Sequence, residues 1–192
     1  LVPALYYAFT TSDPAISEAM HIAVGTSLAV IVPTSLSSAY AHWKRGSVDY
    51  AILSRLAPGI IMGAAIGVVV AGVLDSLALK LIFACGLLLI ALYMAFSPDF
   101  TRKTRLFPGN LKSYCIGTFI GGVSVLLGIG GATLSVPFMR RHGLTMRNAI
   151  GTASAFGLII AIPGAVGFLT LGALITDHHT TYTIGYIHWL AF

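Results

Sequence analysis

The chain has 192 residues, of which 57% are hydrophobic and 9% charged, against about 25% charged in an average soluble domain. A water-soluble fold cannot hide that much apolar surface, whereas a bilayer solvates it, so the composition excludes a soluble enzyme or binding domain and places the chain in a membrane. The net charge of +5 is no nucleic-acid footprint, because the Lys and Arg residues sit in short clusters between apolar runs, as they do in loops on the positive side of a membrane.

In chain order, Tyr6 to Met20 reads as a loop or an interfacial helix capped near Ser12 or Asp13. Five apolar segments follow, bounded by charges and turn residues: Ile22 to Trp43, Leu56 to Leu74, Leu77 to Phe96, Tyr114 to Met139, and Ala149 to Leu174. A basic, proline-bearing linker over 97–112 separates two halves. Residues 1–96 then form the later part of a first repeat with three transmembrane helices. Residues 113–192 form the first part of a second: a glycine-broken or re-entrant helix, a long kinked helix, and the start of another helix from Tyr182. The expected fold class is all-α, a polytopic transmembrane bundle built from two related, inverted repeats. The abrupt start at Leu1 and the apolar run reaching Phe192 read as a fragment of a longer protein.

The repeat rests on Ala23-Val24-Gly25-Thr26-Ser27 matching Ala149-Ile150-Gly151-Thr152-Ala153, 126 positions later, with Val2-Pro3 and Val136-Pro137 upstream of the two copies. Charge placement bears on their relative direction. If Tyr114 to Met139 crosses the membrane once, kinked at its glycines, the basic residues divide between both sides. If it dips in, turns at Gly128-Ile129-Gly130-Gly131 and returns, ten of the eleven Lys and Arg residues share one side and Lys80 alone lies opposite. The second arrangement satisfies the positive-inside rule better and makes the halves inverted copies.

Adjacent glycines weaken a helix, so a break is expected at Gly128, Gly130 and Gly131. Backbone N–H groups freed there would attract an anion at a helix start, a cradle reading that puts Gly130 at positive φ beside the substrate. Packing alone accounts for Gly117 and Gly121, whose spacing lets helices approach closely, and it is the alternative reading of the cluster at Gly128, Gly130 and Gly131. The recurring Gly25-Thr26-Ser27 and Gly151-Thr152-Ala153-Ser154 either bond back to carbonyls of their own helices or face a substrate near the bundle's pseudo-twofold axis. Pro33, Pro163 and Gly164 are candidate hinges. Asp13, Glu18, Asp49, Asp75, Asp99 and Asp177 all fall in loops or at segment ends, which points away from a cation substrate. His42 reads as an interfacial anchor beside Trp43, and His178-His179 lacks further ligands in register, so no metal site is expected. No Ser/His/Asp arrangement, phosphate-binding loop or paired carboxylate points to an enzyme, and no cofactor is implied.

Leu127-Gly128-Ile129-Gly130-Gly131, then Val136-Pro137, then Asn148-Ala149-Ile150-Gly151-Thr152 and a long helix leading to Gly172, closely resemble the sulfite exporter TauE/SafE family of membrane permeases. The resemblance implies a multispanning inner-membrane protein of two related halves that moves small anions, often sulfur-containing ones such as sulfite or organosulfonates, and it adds Asn148 to the candidate substrate residues. Two departures are Ala132 within the glycine run and Ala153 in place of a second Ser. The leading expectation is secondary anion transport by alternating access. The alternative is a non-transporting membrane scaffold or assembly subunit. The partners are a small anion and the lipid bilayer, with no nucleic acid, and homo-oligomer formation is left open.

Overall fold

The computed structural model describes residues 1–12, 18–96, 107–175 and 183–189. Among them are seven helices, α1 (Val2–Ser12), α2 (Ala19–Lys44), α3 (Tyr50–Val73), α4 (Ser76–Phe96), α5 (Asn110–Leu126), α6 (Ala132–Arg141) and α7 (Met146–Ile175), and a small antiparallel pair, β1 (Thr183–Ile184) with β2 (Ile187–His188). Helices α2, α3, α4 and α7 are long and apolar enough to cross a membrane. The shortest of them, α4, reaches about 30 Å at 1.5 Å per residue, the thickness of the hydrocarbon layer. The chain is a multi-pass integral membrane protein of all-α class. Asp13, Asp99, Asp177, His178, His179, Arg102, Lys103 and Arg105, with most of the linker, lie outside the described residues.

Local chemistry sets several helix ends. The Asp49 carboxylate accepts from the N–H groups of Ala51 and Ile52 and so caps α3. Helices α2, α3 and α7 run on through Pro33, Pro58 and Pro163, each of which removes one ladder hydrogen bond and frees the carbonyl four residues earlier. The sequence reading is corrected at two points. Ser12 closes a helix rather than opening one: the hydroxyls of Thr10 and Thr11 bond back to carbonyls of Tyr6, Tyr7 and Ala8 in the last turn of α1. Residues 183–189 do not begin an apolar helix, because Gly185 adopts φ +58° against the backbone of Leu169 and turns the chain into a hairpin.

Packing departs from chain order. Helices α2 and α3, joined by residues 45–49, barely touch, because α7 lies between them and packs on both. The most extensive contact is α3 on α5, and it is made by glycines. A Cβ at Gly63 would overlap the Thr118 carbonyl, and one at Gly59 the Tyr114 carbonyl; Gly117 and Gly121 on α5 lie equally close to the carbonyls of Leu56 and Ile60. This ladder shows that α3 and α5 run parallel. Helix α7 is parallel to both, since Gly151 meets Ser47 near the start of α3 and Gly167 meets Val68 near its end.

The starts of α3, α5 and α7 therefore share one end of the bundle. The chain between α5 and α7 must return to that end, and it does so through α6. Phe107, ahead of α5, touches Phe138 and His142 at the finish of α6, with ring centroids 5.8 and 5.3 Å apart. Of the two arrangements for Tyr114 to Met139, the chain adopts the dip and return, a helical hairpin rather than a kinked span. Lys44, Arg45, Arg55, Lys112, Arg140, Arg141 and Arg147 lie toward this basic end, while Lys80 in the second turn of α4 lies toward the other, where its ammonium meets the Tyr6 hydroxyl at 3.1 Å.

Candidate functional site

The glycine run supplies the tip of this hairpin. Helix α5 closes at Leu127, Gly128 turns the chain with φ +55°, and Gly131 leads into α6 without a side-chain cap. The tip is held by the Ile129 N–H on the Ser124 carbonyl at 3.0 Å, and by the Ala132 N–H on the Gly130 carbonyl. One hydrogen bond ties it to the other half: Ser27 Oγ donates to the Gly128 carbonyl at 2.9 Å, with Ser27 only 1% exposed. The expectation of positive φ at Gly130 is corrected, since the left-handed residue is Gly128. Gly130 has room beside it, the nearest atom to an added methyl being Ile31 Cγ2 at 3.5 Å, and Gly131 is wedged against Ile160.

Around the tip lies a cavity of about 480 Å³, bounded by Val2 and Pro3 of α1, Ser27 and Ile31 of α2, Phe83 and Leu87 of α4, and Gly128, Gly130 and Thr133 of the hairpin. The walls are apolar and the polar groups are few: the Ser27 and Thr133 hydroxyls and tip backbone. Helix α6 starts here: the Ala132 N–H is held by the Gly130 carbonyl, the N–H groups of Thr133 and Leu134 have no side-chain cap, and the positive end of the helix dipole lies beside the cavity. Among the described residues, none that lines the cavity is acidic.

The two Gly-Thr elements are placed differently from the expectation that both face a substrate. The Thr152 hydroxyl, fully buried, accepts from the Asp49 N–H at 2.9 Å, while Gly151 admits the Ser47 carbonyl. The Thr26 hydroxyl, also fully buried, accepts from the His188 N–H at 3.0 Å, while Gly25 admits the Tyr186 carbonyl. Each glycine makes room for a carbonyl of the loop that follows the other long helix, and each threonine accepts the N–H two residues further on. These reciprocal clasps hold α2 and α7 by their starts. Removing the hydroxyl leaves a partly buried N–H unpaired, which costs about 1–3 kcal/mol. Thr152→Val should thus lower the unfolding temperature by several degrees while Thr152→Ser stays close to the parent, as read by thermal melts in detergent.

Of the remaining candidates, Ser154 bonds back to the Gly151 carbonyl at 2.7 Å, and Asn148 sits in the first turn of α7 at the basic end, its N–H on Thr145 Oγ1. Gly164 packs against Leu28, so with Pro33 and Pro163 it lies inside an unbroken helix. His42 is tied to Ser47 through Nδ1 at 3.1 Å, bracing the loop that clasps α7. Thus the chain gathers Ser27, Gly128 and Gly130 at the cavity and places Gly25, Thr26, Gly151 and Thr152 at the clasps. Sequence reasoning missed Thr133, Ile31 and Phe83 as wall residues. Thr133 carried a signal, being the first hydroxyl after the glycine run.

Comparison with known proteins agrees with this architecture. The family profile described as sulfite exporter TauE/SafE matches residues 1–191. A probable membrane transporter protein of Haemophilus influenzae is 33% identical over 98% of the chain and 71% of its own length. The probable membrane transporter proteins YdhB of Bacillus subtilis and MJ0441 of Methanocaldococcus jannaschii are 29% and 28% identical over 80% and 90% of the chain. The chain spans 65% and 63% of those two relatives, less than two thirds. No solved structure matches the chain. With a profile match running almost from end to end, and with glycine-broken hairpin and paired Gly-Thr helices in place, the chain belongs to the sulfite exporter TauE/SafE family of membrane transporters.

Proposed function

We propose that the protein moves a small anion across the membrane by secondary transport with alternating access, and that the cavity at the hairpin tip is its binding chamber. The observation that carries this reading is the cavity itself: helix α6 presents its uncapped start to about 480 Å³ of space with apolar walls and no lining carboxylate. A sulfonate or sulfite group would take the N–H groups and hydroxyls, and an organic portion would lie along Ile31, Phe83 and Leu87. The directions of the helices support inverted halves, since α1 runs opposite to α6 and α2 opposite to α7 in the bundle. By the positive-inside rule the basic end faces the cytoplasm.

A scaffold would need the α3–α5 glycine ladder but not an open chamber beside a broken helix. Two fully buried hydroxyls flanking the tip, on Ser124 and Ser135, have no hydrogen-bond partner among the described residues, which a pure packing element would not leave.

The test is flux of labelled sulfite, an alkylsulfonate, sulfate and a carboxylate of similar size in vesicles containing the full-length protein. Saturable flux of the sulfur oxyanions is expected. Ser27→Ala, which releases the Gly128 carbonyl, should raise KM several-fold, since a net hydrogen bond contributes about 0.5–1.5 kcal/mol. A folded protein that carries none of the four anions would return the scaffold reading.

A further inference from the structure

Beside the cavity, on an adjoining face of α4, lies a second, largely apolar feature, with Thr133 lining both. A groove runs between α4 and the α5–α6 hairpin, with one section of about 450 Å³ at mid-depth and another of about 250 Å³ nearer the basic end. The sections are continuous, since both are lined by Ile90, Tyr93, Phe119 and Leu134. The groove closes at the deep end, where Gly86 lies against Leu127. From Leu126 to Ile116 along α5 it extends about 15 Å, the depth of one leaflet's hydrocarbon.

Its open end is basic. Lys112 lies one turn before Ile116 on the same face of α5. Arg141, at the finish of α6, lines the groove and holds its guanidinium 5.1 Å from the centre of the Tyr93 ring on α4. An apolar channel one leaflet deep, opening between two cations at the membrane surface, is complementary to a negatively charged headgroup with its acyl chains below.

We propose that an anionic phospholipid of the leaflet at the basic end occupies this groove, its phosphate at Lys112 and Arg141 and an acyl chain along Phe119, Ile90 and Leu134. The lipid has a structural task as well. Helix α4 makes only sparse contact with α5, yet Phe83 and Leu87 on its adjoining face form a wall of the anion cavity. The lipid therefore steadies the helix that carries that wall. This site does not depend on the transport reading.

The experiment uses full-length protein carrying Phe119→Trp, in vesicles of phosphatidylcholine with a small fraction of brominated lipid, read as quenching beyond that of the parent protein. Brominated phosphatidylglycerol should quench the added indole at far lower mole fraction than brominated phosphatidylcholine, on the order of five-fold for each basic residue engaged. Adding Lys112→Gln and Arg141→Gln should bring the two lipids level. Equal quenching by both lipids before the charges are removed would reduce the groove to ordinary annular surface and overturn the proposal. No quenching by either would mean that protein, from elsewhere in the chain or from a second copy, fills it, and would overturn it equally. The comparison of the two lipids decides even if the charge-neutralised variant fails to fold.

Discussion

Gly63→Leu will prevent the hairpin from docking and leave little monodisperse protein after extraction. Helices in lipid gain no hydrophobic energy from meeting one another, so their association depends on close packing of small residues. At Gly63 that packing is backbone against backbone: a Cβ would overlap the Thr118 carbonyl and lie 2.7 and 2.8 Å from Thr118 C and Cα. No rotamer relieves such a collision, and the helices must separate along the whole Gly59, Gly63, Gly67 ladder. Overpacking a core costs about 1–3 kcal/mol where side chains can yield; here they cannot, so even Gly63→Ala should cost at least the upper part of that range. Gly109→Ala is the control, because none of the described residues lies within 4 Å of the added methyl. Size-exclusion profiles and thermal melts of the three proteins check the result. A Gly63→Leu protein that elutes and melts like the parent would mean that α3 and α5 do not pack as described.

Gly128→Ala should abolish most transport while leaving membrane insertion intact. The residue has φ +55°, where an L side chain costs about 1–2 kcal/mol, and the methyl would sit 2.8 Å from Val2 Cγ2 and 3.4 Å from Val24. Either the tip turns away, breaking the bond from Ser27, or α1 retreats, and both deform the chamber. A fall in flux of ten-fold or more is expected, with a melting temperature only a few degrees lower. Gly130→Ala gives the contrast. Its methyl would make an ordinary contact with Ile31 at 3.5 Å and project into the cavity, so folding should be unchanged and bulkier anions should lose affinity more than sulfite does. If Gly128→Ala transports at the parent rate, the hairpin tip is not the binding site.

How far these features could be read beforehand depends on the range of the interaction behind each. The long helices were visible from apolar length and flanking charge, and the break at 127–131 from three glycines in four residues, because both are local. The stripe of Gly59, Gly63 and Gly67 was equally local, at four-residue spacing, yet within a strongly apolar run it read only as part of a span. Asp49 caps α3 through its near neighbours, but its N–H reaches Thr152, over a hundred positions away. The bond from Ser27 to Gly128 also joins the two halves. The Gly-Thr elements stood out by recurrence, and recurrence could not tell a clasp from a binding site, since both need a small residue and a hydroxyl. The hairpin at 183–189 has apolar residues that suit a helix equally well, and it is decided by the approach of Gly185 to Leu169.

The crossed clasps impose an order of events during synthesis. The loop after α2 has its carbonyl at Ser47 and N–H at Asp49 ready as soon as α3 has been inserted, but the groups they meet, at Gly151 and Thr152, are about a hundred residues behind in translation. At roughly 5–20 residues per second, that loop waits for some 5–20 seconds at the membrane edge with its polar backbone unanswered. Until α7 arrives and slides between α2 and α3, those two helices share too little surface to hold them in place. The nascent first half must then be kept loosely open, by the insertion machinery or by lipid, rather than settle into a compact hairpin that would shut α7 out.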